Sequence, residues 1–343
     1  MQRYVIRTEL FKIVFNFINF RNFSVIGVCF AILTGGSPAG KAEDTMEPKA
    51  VLQAFQAGDT TRALAAGLNS LTEKGSSFSE EWSWLSEEWF HTFVPTAEIE
   101  LEFSDDLKPV GTALVLVPLF ERAESGDILF TQGSISRFDG RTTSNFGIGY
   151  RRPVLDNKLL LGVNSFYDYE WPYNHSRASV GGEIRTTVGE VNFNQYWGIS
   201  GWKAVSNGFE ERALDGYDVE LGLSLPYMPR TKLYGKIIEW TGQTGDFSEK
   251  GLIYSFEGEF LNGVFFEIGR KHYEKSHNDN FFTFRVNPVD LLLGSKREKP
   301  FFAKKPYELA SMLDHKYDKV RRENLIRKER RVVGGFTVTA SGF

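Results

Sequence analysis

Cysteine is nearly absent: Cys29 is the single one in 343 residues. That excludes a disulfide framework within the chain and a thiolate metal cluster. Methionine is scarce too, 4 residues against 30 Phe. Charge of neither sign dominates; the net charge of -4 offers no electrostatic footprint for nucleic acid. The five histidines, His91, His175, His272, His277 and His315, show no metal-ligand spacing and read as ordinary surface residues. Asn174, His175 and Ser176 are adjacent in a turn-like stretch, a poor basis for a shared triad geometry. Asp105-Asp106 and Glu210-Glu211 read as solvated loops rather than paired acids. Gly147 and Gly149 alternate within a strand pattern and do not open a helix, so they are no phosphate loop. No catalysis, metal or cofactor is expected.

Long apolar runs are also missing, apart from Phe23 to Thr34. A bundle of membrane helices is therefore excluded, but a membrane barrel is not, because its strands alternate and average out to polar. The apolar run follows Arg3, Arg7, Lys12 and Arg21 and ends in SPAGKA. A basic start, an apolar middle and a small-residue exit read as a secretory signal peptide over 1–42. A single membrane anchor is the alternative, though the run is short for a span. Residues 43–95 do not alternate and read as a periplasmic helical segment. Trp82, Trp84, Trp89 and Phe90 within it suit either a soluble core helix or one lying at a membrane interface.

What is abundant is alternation. From Thr96 to Pro288 we count twelve runs joined by Gly-, Asn-, Asp- and Pro-rich turns; most have apolar residues at every second position, while 112–120 is apolar on both faces, 127–137 is ambiguous in phase and 233–240 is mixed. Tyr217, Val219, Leu221, Leu223 and Leu225 against Asp218, Glu220, Gly222 and Ser224 form the cleanest. Pro118 in the second run marks an edge or a bulge. Runs at this spacing, without helices between them, form an antiparallel meander. A sandwich and a membrane barrel both fit the spacing, and the polar face separates them. Here that face carries Gly, Ser, Asn, Glu and Arg, as inside a wide barrel. Tyr and Trp cap the apolar face near strand ends (Tyr150, Tyr167, Tyr169, Trp171, Trp197, Trp202, Tyr217, Trp240), like aromatic girdles. The expectation is an all-β fold: a twelve-stranded antiparallel transmembrane barrel over 96–288. Its lumen face would carry Glu98, Glu100, Glu102, Asn164, Asp168, Glu183, Asn192, Asn194, Asp218, Glu220, Glu257, Glu259 and Glu267. Arg151, Arg177, Arg185, Lys271 and Arg285 offset these acids only in part.

After Asn287-Pro288 the pattern stops. Residues 289–331 are basic, and Tyr307 to Arg331 lacks Gly and Pro, with apolar residues at helical spacing. A helix there would be roughly 37 Å long at about 1.5 Å per residue, against an apolar band of roughly 25 Å. Its cations Lys316, Lys319, Arg321, Arg322 and Arg327 complement the acidic lumen, so the segment is expected to plug the pore as a linker helix. A basic helix outside the pore is the alternative. Residues 332–343 read as a short vestigial tail whose sequence suits a single strand.

Several segments resemble one family in order: WFHTFVPTAEIEL at 89–101, FDGRTTSNFGIGYRR at 138–152, GVNSFYDYEW at 162–171 and RASVGGEIR at 177–185. SGWK at 200–203, FEERALDGYDVELGLSLPYMP at 209–229 and HKYDKVRRENLI at 315–326 continue the series. They look like the inverse autotransporter β-domain of intimin and invasin. The resemblance implies an outer-membrane barrel of type V secretion that exports and holds a C-terminal segment at the cell surface. It implies outer-membrane lipid, the barrel-assembly machinery and periplasmic chaperones as partners. No peptidoglycan-binding LysM module is apparent in 43–95, so peptidoglycan is not expected as a partner. No adhesin-like passenger follows the linker, so a surface ligand is not identified. A free-standing porin-like channel and a surface β-domain adhesin acting through its loops are the alternatives.

Overall fold

The computed structural model describes residues 94–341, apart from 106–107, 206–207, 246, 294–298 and 334–337. The expected signal peptide and all but the last two residues of the helical segment lie outside the described residues.

Each alternating run becomes a strand, because one face meets an apolar and the other a polar environment. The strands are β1 (Thr96–Ser104), β2 (Val110–Glu121), β3 (Ile128–Phe138), β4 (Arg141–Val154), β5 (Leu159–Trp171), β6 (His175–Arg185) and β7 (Gly189–Gly198). After two short strands, β8 (Lys203–Ala204) and β9 (Phe209–Ala213), follow β10 (Asp215–Leu225), β11 (Met228–Thr241), β12 (Ser248–Leu261), β13 (Val264–Tyr273) and β14 (Asp279–Val286). Twelve of them close an antiparallel barrel in which β1 pairs with both β2 and β14. Closure removes every free sheet edge, as lipid requires. Pro118 sits at a register shift between β2 and β3, where its missing N–H leaves no gap in the ladder.

Outward side chains are apolar and exposed: Phe146, Ile148, Val163, Val180, Ile184, Phe193, Leu221, Leu223, Ile237, Tyr254 and Ile268. On a soluble protein such a belt would be an aggregation surface; around a closed barrel it is a lipid face. Inward side chains are polar, charged or aromatic. Gly147 and Gly149 face inward beneath Phe166 and Phe130, and a Cβ at either position would run into the aromatic ring. The glycines thus make room for rings inside the wall.

Two girdle residues depart from expectation: Trp202 lies between β7 and β8, off the barrel strands and stacked against Arg212 and Arg331, and Trp240 turns inward. Trp240 is fully buried, tilted against Tyr196 with ring centroids 5.1 Å apart and facing the Arg177 guanidinium at 5.8 Å. Its strand β11 is mixed in pattern, and the inward phase is set by pairing with Gly216, whose bare Cα admits the indole. Tyr167, Trp171 and Trp197 are exposed on the outer face as expected.

The last barrel strand is followed by a one-turn helix, α1 (Pro288–Leu293). Next comes a long stretch without regular structure, interrupted by a 3-10 turn at Asp314–Tyr317. Two more strands follow, β15 (Lys328–Val332) and β16 (Val338–Ser341), which join β9 and β8 in a separate sheet of order β16-β15-β9-β8. The linker helix expected over 307–331 is therefore corrected to extended chain. Lys, Arg, Glu and Leu favour helix when nothing else decides, but here the surroundings decide. The lumen offers guanidinium and amide donors that bind free backbone carbonyls, and a helix would have used those carbonyls internally. The tail supplies a strand, as its pattern suggested: β16, paired with β15.

Candidate functional site: the lumen and the chain that crosses it

The chain leaves β14 at the end of the barrel that also carries Thr96, here called the near end. It first runs along the short turns of that end. The Ala303 N–H donates to the Tyr227 carbonyl, Tyr227 N–H to Pro306, and Met312 N–H to Asn157. Thr187 Oγ1 donates to the Glu308 carbonyl and accepts from the Ala310 N–H. At Lys316 the chain turns inward.

Inside, the backbone is held by inward-facing side chains of several strands. Arg151 Nη1 donates to the carbonyls of Lys316, at 2.7 Å, and Asp318. Arg185 donates to Lys319, Asn194 to Arg321, Asn145 to Asn324, and Arg177 to both Glu323 and Leu325. Val320 N–H donates to Gln132 Oε1 at 2.8 Å, and Tyr196 Oη bonds the Glu323 N–H at 2.8 Å. At the far end the Leu214 N–H donates to the Arg327 carbonyl. Burying backbone without partners is expensive, and this wall supplies them.

Extension also points successive side chains in opposite directions. Arg321 faces Glu220, Glu257 and Glu267 on β10, β12 and β13. Its neighbour Arg322 faces β5 and β6, placing Nη1 and Nη2 at 2.8 and 2.7 Å from the two oxygens of Asp168. Lys319 Nζ lies 2.9 Å from Glu98 and 2.8 Å from Glu100 on β1. Lys316 reaches Glu121 at 2.5 Å. A helix would have swept these cations around its axis, whereas the extended chain deals them alternately to opposite walls.

The other expected lumen residues distribute as follows. Glu183 binds Arg151 and Arg185, and Glu102 binds Lys271. Asp218 accepts from Asn194 and from Tyr196 Oη. Asn164 and Asn192 are buried in the wall. Glu259 sits at the near mouth, accepting from the Gly263 N–H at 3.2 Å, and lines a cavity there with Asp318 and Lys319. Arg327 pairs with Glu323 four residues earlier in its own segment. Beside the crossing chain a cavity of about 170 Å³ remains along β1 and β12 to β14.

A membrane barrel whose own C-terminal segment is threaded through it narrows the comparison with known proteins. The family model for the inverse autotransporter β-domain matches residues 54–324. The chain belongs to the inverse autotransporter β-domain family. It is 28% identical over 210 residues to the inverse autotransporter adhesin YeeJ of Escherichia coli (strain K12), covering 59% of this chain and 8% of that protein. It is 26% identical over 244 residues to intimin of Citrobacter freundii, covering 67% of this chain and 25% of intimin. The chain thus spans less than half the length of these relatives. A solved structure, from work on the mechanism of in-meso crystallization of membrane proteins, covers 69% of this chain and is itself covered completely. Its TM-score is 0.55 at 21% identity. That likeness shows the fold. The inverse autotransporter barrel lies in the outer membrane.

The far end of this inverse autotransporter barrel holds residues that sequence reasoning missed. Glu211, expected in a solvated loop, is fully buried on β9. Arg141 Nη1 donates to it at 2.7 Å and Arg330 Nη2 at 2.5 Å, and His175 Nε2 lies 3.6 Å away. Burial by itself would raise the Glu211 carboxyl. The nearby His175 imidazole and the hydrogen bonds from Arg141 and Arg330 outweigh it and hold the group well below the usual carboxylate range. His175, expected at the surface, is likewise fully buried, at the start of β6 and 3.5 Å from Ser200 Oγ. The correction has one cause: β9 folds back over the far mouth and covers both. The available signal was the charge pattern of FEER at 209–212 beside that of KERR at 328–331, which matters only once the two are opposite each other.

Proposed function

We propose that this barrel is a translocator and anchor of type V secretion: it carries its C-terminal segment through the outer membrane and holds it at the surface. In this reading the near end faces the periplasm and the far end faces the outside. One observation carries the proposal. The chain that follows the last barrel strand returns through the lumen from the near end and leaves at the far end, bound to the wall along its whole passage. A diffusion channel would have no use for a lumen filled by its own chain and ion-paired on several walls. Assembly would use periplasmic chaperones and the barrel-assembly machinery, with β14 as the closing strand.

The test places an epitope tag after Phe343 and treats intact cells with protease. The tag is expected to be cleaved in intact cells while the barrel stays whole. Cleavage only after the outer membrane has been permeabilised would overturn the direction of passage. Deleting 300–343 and recording planar-bilayer currents is the companion measurement, with a rise in single-channel conductance expected.

A further inference from the structure

The crossing chain does not simply emerge at the far end. It is taken up as a strand. β15 inserts beside β9 in antiparallel register, with Ala213 opposite Lys328, Arg212 opposite Glu329, Glu211 opposite Arg330 and Glu210 opposite Arg331. Three successive pairs are of opposite charge, and each is closed. Arg212 Nε donates to Glu329 Oε1 at 2.7 Å, Arg330 Nε to Glu211 Oε1 at 2.9 Å, and Arg331 Nη2 to Glu210 Oε2 at 2.8 Å. Directly opposed side chains are the units that stabilise a strand pair, and like charges there are unfavourable. The pairs divide between the two faces. Arg212 and Arg331 both stack on Trp202, at 4.6 and 4.0 Å, while Glu211 points back toward Arg141 and His175.

We propose that the β8–β9 hairpin is a strand receptor that captures the chain as it leaves the lumen and stops it at one register. Its ligand class is an extended peptide with one acidic residue followed by two basic ones. The alternatives are closed off by the same residues. A slip of two residues in one direction sets Arg212 against Arg331. A slip of two in the other sets Glu210 against Glu329 and Arg212 against Arg327. A slip of one turns every side chain to the wrong face. Only the observed register pairs all three. The receptor therefore fixes how many residues lie between β14 and the far mouth. It keeps Arg321 and Arg322 level with their acids, because a strand moves about 3.3 Å per residue. This deepens the proposed export function and rests on it for the direction in which the chain arrives.

A disulfide reports the register. In a Cys29→Ser background, Phe209→Cys with Val332→Cys joins two directly opposed positions. The full-length barrel in detergent is expected to cross-link at this pair under mild oxidation. Adding Glu210→Arg makes the 210/331 pair repulsive and opens the slip that sets residue 210 against Glu329, so the initial cross-linking rate is expected to fall about tenfold. Adding Arg331→Glu to that variant restores the pair and is expected to return the rate to near that of the parent. Heat-modifiable migration on a gel confirms that each barrel is folded. An unchanged rate in the Glu210→Arg barrel, or no recovery in the folded double reversal, overturns the receptor. The cross-link is read on isolated protein, so a failed surface-exposure assay would reject the direction of export without touching it.

Discussion

Replacing Asp168 with Asn asks most directly what holds the chain inside the barrel. Asp168 is fully buried and accepts four hydrogen bonds: two from Arg322, one from Arg177 Nε at 2.8 Å and one from Asn145 Nδ2 at 2.7 Å. The amide keeps the shape and removes the charge. Two fully buried guanidiniums then face each other's field with only neutral acceptors left, the Ser179 hydroxyl for Arg322 and the Glu323 and Leu325 carbonyls for Arg177. Breaking a buried pair from one side costs about 3–5 kcal/mol. Each ~1.4 kcal/mol is a factor of ten, so the released state of the chain should gain roughly 10²- to 10⁴-fold in population. The barrel wall, closed by its own hydrogen bonds, should remain. Planar-bilayer recordings of the Asp168→Asn protein should accordingly show frequent transient openings where the parent is quiet. Removing the second stranded cation as well, with Arg322→Met, sets an apolar side chain against Phe166, whose ring lies 4.3 Å below the guanidinium. That double variant should cost less than the sum of its parts, by about 1–3 kcal/mol. Parent-like currents and an unshifted melting midpoint for Asp168→Asn would refute the reasoning, because the pair would then be dispensable.

Three more outcomes follow from the same structure. Glu211 has a folded pKa below its unfolded value of about 4.3, so the unfolded or detached state binds the proton more readily. Its contribution to the far-end sheet is complete above about pH 5 and is lost as pH falls further. The emission of Trp202, read as the difference from a Trp202→Phe variant, should report β15 loosening in that acid range and stay constant from pH 6 to 8. Ile148→Lys puts a cation on the lipid face, where Ile148 is exposed on β4. It should cost about 2–4 kcal/mol near the bilayer middle, seen as a lower folded fraction in lipid-vesicle refolding titrations. Gly149→Ala drives a methyl into the Phe130 ring; overpacking of that kind should lower stability by about 1–3 kcal/mol in a denaturant titration of heat-modifiability.

The barrel was legible because a lipid face and a wet face leave a period of two in most strands; the runs at 112–120, 127–137 and 233–240 lacked a clean phase and were placed by their spacing and turns. The acidic lumen was legible for the same reason: Glu98, Glu100, Glu183, Glu220 and Glu257 alternate with apolar residues along their strands. The conformation of the crossing chain was not. Residues 307–331 have helix-forming composition, and nothing local says that Arg151, Arg177 and Arg185 will be waiting for their carbonyls. Trp240 misled because an aromatic at a strand end suits a girdle as well as a glycine-floored pocket, and Gly216 lies on another strand.

The sequence by itself thus determined the class, the strand order, the two faces of the wall and the sign of charge on each partner. Local patterning carries all of these. Tertiary structure alone decided which charges meet. Asp168 and Arg322 are 154 residues apart, and Glu210 and Arg331 are 121 apart. A carboxylate in a strand reads the same whether it faces water or a guanidinium. Only closing the barrel and threading the chain through it makes Glu211 a buried anchor rather than a loop acid, and FEER the complement of KERR.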